Sequence, residues 1–149
     1  MFVIKKDIFP QLTRPISQKL FGENKTWRGF VFVPIVNAVL LYWINFTFDL
    51  QLPQAFYIGF LLGFTYMLFE LPNSWMKRRL GIQAGQQATS HQLLFAMIDK
   101  MDSAFGVTLL YFVIGFISLP HALLLFVICS ATHIMISQLL VQFNIKKSF

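Results

Sequence analysis

The sequence predicts an all-α fold: a polytopic transmembrane helical bundle of four spans, with an interfacial N-terminal segment and a cytoplasmic loop between spans two and three. Three observations predict it. Apolar residues make up 56% of the 149-residue chain and charged residues 12%, about half the charged share of an ordinary soluble domain. Charge-free runs long enough for a membrane helix recur along the chain. All twelve Lys and Arg residues fall on one side once four spans are drawn. Eighteen phenylalanines are too many for one small soluble core to bury, and the length fits a single domain, 1–149.

Each span is read from the charges that bound it. No Asp, Glu, Lys or Arg occurs from Gly29 to Phe48, or from Leu50 to Phe69. At 1.5 Å per residue, about twenty residues cross a hydrocarbon core of about 30 Å. The first two spans are therefore placed at 29–48 and 54–71, with Pro72 expected to end the second helix. The charge-free run from Ser103 to Ile145 is too long for one helix, and Pro120-His121 divides it into spans at 104–119 and 121–143.

The cations orient the bundle. Lys5, Lys6, Arg14, Lys19, Lys25 and Arg28 precede the first span. Lys77, Arg78, Arg79 and Lys100 lie between the second and third, and Lys146 and Lys147 follow the fourth. The opposite loops carry only Asp49. The positive-inside rule then puts both termini and the central loop in the cytoplasm of an integral cell-membrane protein. Anionic lipid accounts for the net charge of +6, so no nucleic-acid partner is called for. The first fifteen residues lack the apolar core and cleavage site of a secretory signal.

Packing signals lie within the spans. Gly59 and Gly63 form a G-x-x-x-G that admits a neighbouring backbone. Asn37 and Asn45, and the Ser130, His133, Ser137 stripe, require partners away from lipid, and interhelical hydrogen bonding is the ordinary role for His133. The single Cys129 excludes an intrachain disulfide and reads as a small packing residue. His91 and His121 have no metal-ligand spacing, and Trp27 and Trp75 sit where indole rings anchor at an interface.

Two polar cassettes interrupt this pattern: Gly22-Glu23-Asn24-Lys25-Thr26-Trp27-Arg28-Gly29, and the stretch from Glu70 through Lys77-Arg78-Arg79 to Asp99 and Asp102. Both fall on the cytoplasmic side. On a helix, Asp99 and Asp102 share a face and can share a cation; the same residues also suit a helix N-terminus. Glu70 closes an apolar span, where an ionisable group is costly unless paired or functional. Glu70, Asp99 and Asp102 together would suit Mg²⁺, which takes oxygen ligands. Lys77-Arg78-Arg79 serves equally as a stop after span two or as a phosphate-binding run. Lys25 and Arg28, flanked by Gly22 and Gly29, admit the same two readings.

These residues carry a family resemblance. The first cassette resembles the G-x-x-K-T-W-R-G box of the CDP-archaeol synthases, relatives of the phosphatidate cytidylyltransferases. Leu71, Ser74, Lys77, Arg78, Arg79 and Gly81 are similar to a D-L-x-x-S-x-x-K-R-R-x-G segment. Asp99-x-x-Asp102, with Gly106 beyond, is similar to a D-x-x-D box. Phe69-Glu70 stands where the family has glycine and aspartate, and Lys100 where glutamine is common. Family members begin with a further helix. Here Phe2, Ile4, Ile8, Phe9 and Leu12 are expected to lie on the membrane surface.

The resemblance implies an enzyme that transfers a cytidylyl group from CTP to a membrane lipid phosphate, with Mg²⁺ as cofactor and the lipid bilayer as its setting. It implies Asp99, Asp102, Lys77 and Lys25 as catalytic residues. Lys25, Thr26, Arg28, Ser74, Lys77, Arg78 and Arg79 would bind substrate phosphates, and Glu70, Asp99 and Asp102 the metal. CDP-diacylglycerol synthesis from phosphatidate and a non-catalytic lipid-phosphate-binding role are the alternatives.

Overall fold

Small residues decide where the helices of this chain touch. The computed structural model describes residues 9–84, 86 and 92–143. A 3-10 turn, Pro10–Thr13, and a one-turn helix α1, Gln18–Phe21, lead into four long helices. These are α2, Trp27–Phe48; α3, Ala55–Arg79; α4, Gln92–Val113; and α5, Leu119–Gln142. They pack in chain order, α2 on α3, α3 on α4 and α4 on α5, while α1 rests on α3. The middle of the array therefore belongs to α3 and α4.

The G-x-x-x-G pair forms the α2–α3 seam. A Cβ on Gly59 would stand 2.7 Å from the Asn37 carbonyl oxygen, and one on Gly63 would stand 2.7 Å from Pro34 Cα. Only hydrogen fits between these backbones. Pro34 and Ala38 complete the seam from α2 and are buried. Asn45 finds its partner at the end of the same helix, where its Oδ1 accepts from the Leu52 N–H at 2.9 Å.

Burial is inverted relative to a water-soluble domain. Phe46 is 78% exposed and Trp43 61%, whereas Asn73, Lys100, Ser103, Thr108, Ser130 and Ser137 are buried. An apolar exterior around a polar interior minimises free energy only in an apolar solvent. Threonines facing outward return their hydroxyls to their own helix, as Thr47 does to the Trp43 carbonyl at 2.8 Å. Helices α2, α3 and α5 are each long and apolar enough to cross a membrane. Helix α4 has 22 residues but carries Asp99, Lys100 and Asp102 in its N-terminal half.

Two boundaries differ from the sequence expectation. Pro72 does not end α3, which runs on to Arg79. Proline leaves the Leu68 carbonyl without its helical donor, at a cost of about 3 kcal/mol. Burial of Asn73 and pairing of Lys77 with α4 in the continuing turns offset that cost. The third long helix is Gln92–Val113 rather than 104–119. It starts earlier because α3 supplies partners for Asp99 and Asp102. It stops earlier because Gly115 takes a left-handed φ of +77°. There the Phe116 N–H donates to the Tyr111 carbonyl and the Gly115 N–H to Phe112, both at 3.1 Å. This is a Schellman end, and the Tyr111 and Phe116 rings close over it. The first, second and fourth helix positions otherwise follow the charge-free runs. The expected interfacial residues Phe2, Ile4 and Ile8, together with Lys5, Lys6, His91, Lys146 and Lys147, lie outside the described residues.

Replacing Gly63 by valine forces α2 away from α3 at Pro34. Overpacking of this kind costs about 1–3 kcal/mol. Thermal unfolding in detergent should show a clearly lowered midpoint, and a wild-type midpoint would refute the close seam.

Candidate active site

Tyr66, Glu70, Asn73 and Lys77 follow one another along α3 at steps of four, three and four residues. Those steps keep them on one helix face. That face meets Asp99, Asp102 and Ser103 of α4. Beside them, Gly106 sets the contact between the helices: a Cβ there would stand 2.4 Å from Phe69 Cγ. The lack of a side chain at 106 brings α4 close enough for short side chains to bridge.

The bridge is an amide. Asn73 Nδ2 donates to Asp99 Oδ1 at 2.5 Å and to Asp102 Oδ2 at 2.9 Å. Lys77 Nζ pairs with both Asp99 oxygens. The other Asp102 oxygen, Oδ1, accepts from the Ser103 N–H at 2.6 Å. One turn back along α3, Glu70 forms an ion pair with Lys25, and the Tyr66 hydroxyl lies against Glu70 and Ser103. The result is an alternating column of charges between α3, α4 and the segment ahead of α2.

That segment is clamped at its base. The Ile16 N–H donates to the Lys25 carbonyl at 2.8 Å and the Trp27 N–H to the Arg14 carbonyl at 3.2 Å. Pro15 and Thr26 form an antiparallel bridge. The clamp carries Lys25 across to Glu70. Gly22, at φ +83°, lies under the end of α3, where a Cβ would reach within 3.4 Å of Arg78 Nη1. Next to it is a polar cavity of about 350 Å³ lined by Gln18, Lys19, Glu23, Arg78 and Gln83, among others.

The structure thus gathers Lys25, Glu70, Lys77, Asp99 and Asp102, and it brings Arg78 to the neighbouring cavity. Arg28 Nη1 and Arg78 Nε are buried and have no hydrogen-bond partner, so both guanidinium groups retain donors for an anion. Two expected members make other contacts: Arg79 lies 4.8 Å from the Trp75 ring centroid, and Ser74 Oγ donates to the Glu70 carbonyl at 2.9 Å. Thr26 stands just before α2, where its carbonyl accepts from the Gly29 N–H at 3.1 Å. Of the three carboxylates expected to hold a metal, Asp99 and Asp102 meet at Asn73 and Glu70 pairs with Lys25; among the described residues no three His, Cys, Asp or Glu side chains are grouped as a metal would need. His133 Nδ1 donates to the Lys100 carbonyl at 3.0 Å, which is interhelical bonding between α5 and α4.

Sequence reasoning missed Asn73 and Tyr66. Their signal was periodicity: a polar residue every turn along the C-terminal half of an apolar helix, in register with Glu70 and Lys77. It also missed Gln18 and Gln83, which become site neighbours only through the fold of the loop.

The family model "CarS-like: CDP-archaeol synthase" matches residues 14–149, from the clamp at Arg14 through α5. The chain belongs to the CDP-archaeol synthase family. Curated relatives from archaea bear that name. The Staphylothermus marinus protein is 30% identical over 136 residues, covering 87% of this chain and 71% of its own. The Methanoculleus marisnigri protein is 31% identical over 129 residues, covering 78% and 73%. The Thermococcus gammatolerans protein is 33% identical over 94 residues, 61% of this chain. Against that relative the chain spans about half the length, 55%. No solved structure gives a significant match. The three family boxes coincide with the clamped segment, the C-terminal end of α3 and the charged half of α4. Family membership and three apolar helices make this an integral membrane protein.

The Lys25–Glu70 pair is about one-fifth exposed on each side, so it is more than a surface ion pair and less than a fully buried one. A double-mutant cycle of Lys25→Met and Glu70→Gln should give a coupling of about 1–2 kcal/mol. Additive effects on detergent unfolding would show that the clamped segment does not depend on this pair.

Proposed function

We propose that this protein transfers the cytidylyl group of CTP to a lipid phosphate at the membrane surface, releasing pyrophosphate and leaving a CDP-lipid. The observation that carries this reading is the charge column between α3, α4 and the clamped segment. It sets two carboxylates one turn apart beside Lys77, in a chain whose relatives bear the name CDP-archaeol synthase. The topology that fits is four membrane crossings with both termini and this site on the cytoplasmic side, α4 entering by its charged end.

The donor set fits Mg²⁺. Asp99 and Asp102 each present an oxygen to the same small group, Asn73 Nδ2, so both carboxylates are within reach of a single ion. Oxygen-only sites with room for water are what Mg²⁺ prefers. Asp99 and Asp102 would hold it, and when bound it would neutralise charge on the phosphates. Glu70 is assigned a different task, that of holding Lys25.

The remaining chemistry belongs to positioning. A lipid phosphate oxygen attacks the α-phosphorus of CTP. The new P–O bond forms in line as the bond to the bridging oxygen of the β-phosphate breaks, and pyrophosphate leaves with that electron pair. Arg28 and Arg78, with unpaired guanidinium N–H groups, bind phosphate oxygens. Lys77 exchanges Asp99 for a phosphate when substrate arrives, and Lys25 stands next along the column. Such orientation by fixed cations supplies much of the rate in phosphoryl-type transfers. No side-chain nucleophile is needed.

The relatives' name makes a geranylgeranylated glycerophosphate the first lipid to offer and phosphatidate the second. Protein in vesicles, given labelled CTP, Mg²⁺ and either lipid, should form labelled CDP-lipid. Absence of product from both, and from other lipid phosphates, would defeat the enzymatic reading. Asp102→Asn should lower turnover by at least about 100-fold while the protein still elutes as a folded species in detergent. Wild-type turnover would remove Asp102 from the site. A reporter joined after Phe149 should read cytoplasmic, and an external signal would overturn the topology.

A further inference from the structure

The third protein ligand at the cation site is the outstanding question, since Lys25 occupies Glu70. Asn73 answers it. Its side chain is buried, with the residue only 8% exposed, and points between Asp99 and Asp102. Both amide hydrogens are used on those carboxylates. The amide oxygen, Oδ1, is buried with no hydrogen-bond partner. A buried acceptor left unpaired costs about 1–3 kcal/mol, yet the chain keeps one at the centre of its charged column.

We propose that Asn73 is a cation ligand: the amide turns by half a rotation about χ2 and presents Oδ1 to an ion shared with Asp99 and Asp102. This rests on the reading of those two carboxylates as the cation site. Oxygen and nitrogen exchange places in that rotation without other movement. In the state described here the NH₂ group stands in for the ion, supplying two donors to two carboxylates. With a divalent cation between them, the same carboxylates no longer need those donors. Oδ1 then gains the partner it lacks. Asn73 lies one turn beyond Glu70 on the same face of α3, so it delivers an oxygen to the place the glutamate was expected to fill. It also leaves the acid free to hold the clamped segment. The segment that carries the family resemblance leaves position 73 unspecified, so nothing in the boxes themselves points to it.

The test measures metal binding, not turnover, using protein in detergent with Mn²⁺ alone, displaced by Mg²⁺. Two roles for Asn73 predict opposite signs. If the amide only donates to the carboxylates, Asn73→Ala frees their oxygens, and Mn²⁺ binds as well as before or better. If the amide oxygen is a ligand, Asn73→Ala weakens Mn²⁺ by about tenfold or more. A second variant reports contact directly. Asn73→Cys should acquire tight Cd²⁺ binding with a thiolate-to-metal charge-transfer band that Mg²⁺ suppresses. The wild type, whose one cysteine is Cys129, should lack that band. Unchanged or tighter Mn²⁺ binding in Asn73→Ala overturns the proposal. Should that variant fail to fold, absence of the Cd²⁺ band in Asn73→Cys overturns it. Wild-type protein that binds no Mn²⁺, or Asp102→Asn that binds it normally, would bring down the carboxylate site itself and this ligand with it.

Discussion

One face of α3 holds the molecule together. In lipid, a helix carrying Asp99, Lys100 and Asp102 is stable only if another helix satisfies those charges. Asn73 and Lys77 do so for the two aspartates. Farther along the same face of α3, Gly59 and Gly63 pack against α2, and the charged end of α3 receives the clamped segment through Lys25 and Glu70. Loss of the α3 polar face would therefore remove both the α3–α4 contact and the site, because they are the same set of bonds.

Much of this was legible in the sequence, and the misses have physical causes. Charge-free runs located α2, α3 and α5 well, because water and lipid sort residues by charge before packing matters. Pro72 was read by its local rule as a helix end. The rule gave way because the turns beyond it bury Asn73 and pair Lys77, and no local pattern announces a tertiary gain. Gly115 was the opposite case: a glycine followed by an aromatic is the mark of a Schellman end, and it was present in the chain. Asp99, Asp102, Lys77 and Lys25 were recognisable from charge and spacing. Asn73 was not, because a lone amide carries no charge and its meaning depends on which residues of α4 stop opposite it.

The Lys25–Glu70 pair also clarifies how charge is distributed. The column alternates, acid with base, along the charged end of α3. Lys25 and Lys77 are each held at a defined position by a carboxylate, Glu70 and Asp99 respectively. Preorganisation of this kind lowers the cost of ordering long side chains during reaction.

The early stop of α4 at its glycine end has a consequence for the surrounding lipid. From Ser103 to Val113 the helix offers eleven residues, about 16 Å of apolar length, against a hydrocarbon core of about 30 Å. A stretch shorter than the hydrocarbon core is accommodated by thinning of the bilayer beside it, so lipid against that flank would bring water and headgroups toward the end that carries Asp99 and Asp102. Such thinning would form a local dimple in the protein's own solvent. A polar headgroup at such a dimple would stand at the depth of Asp99 and Asp102 without crossing the apolar core.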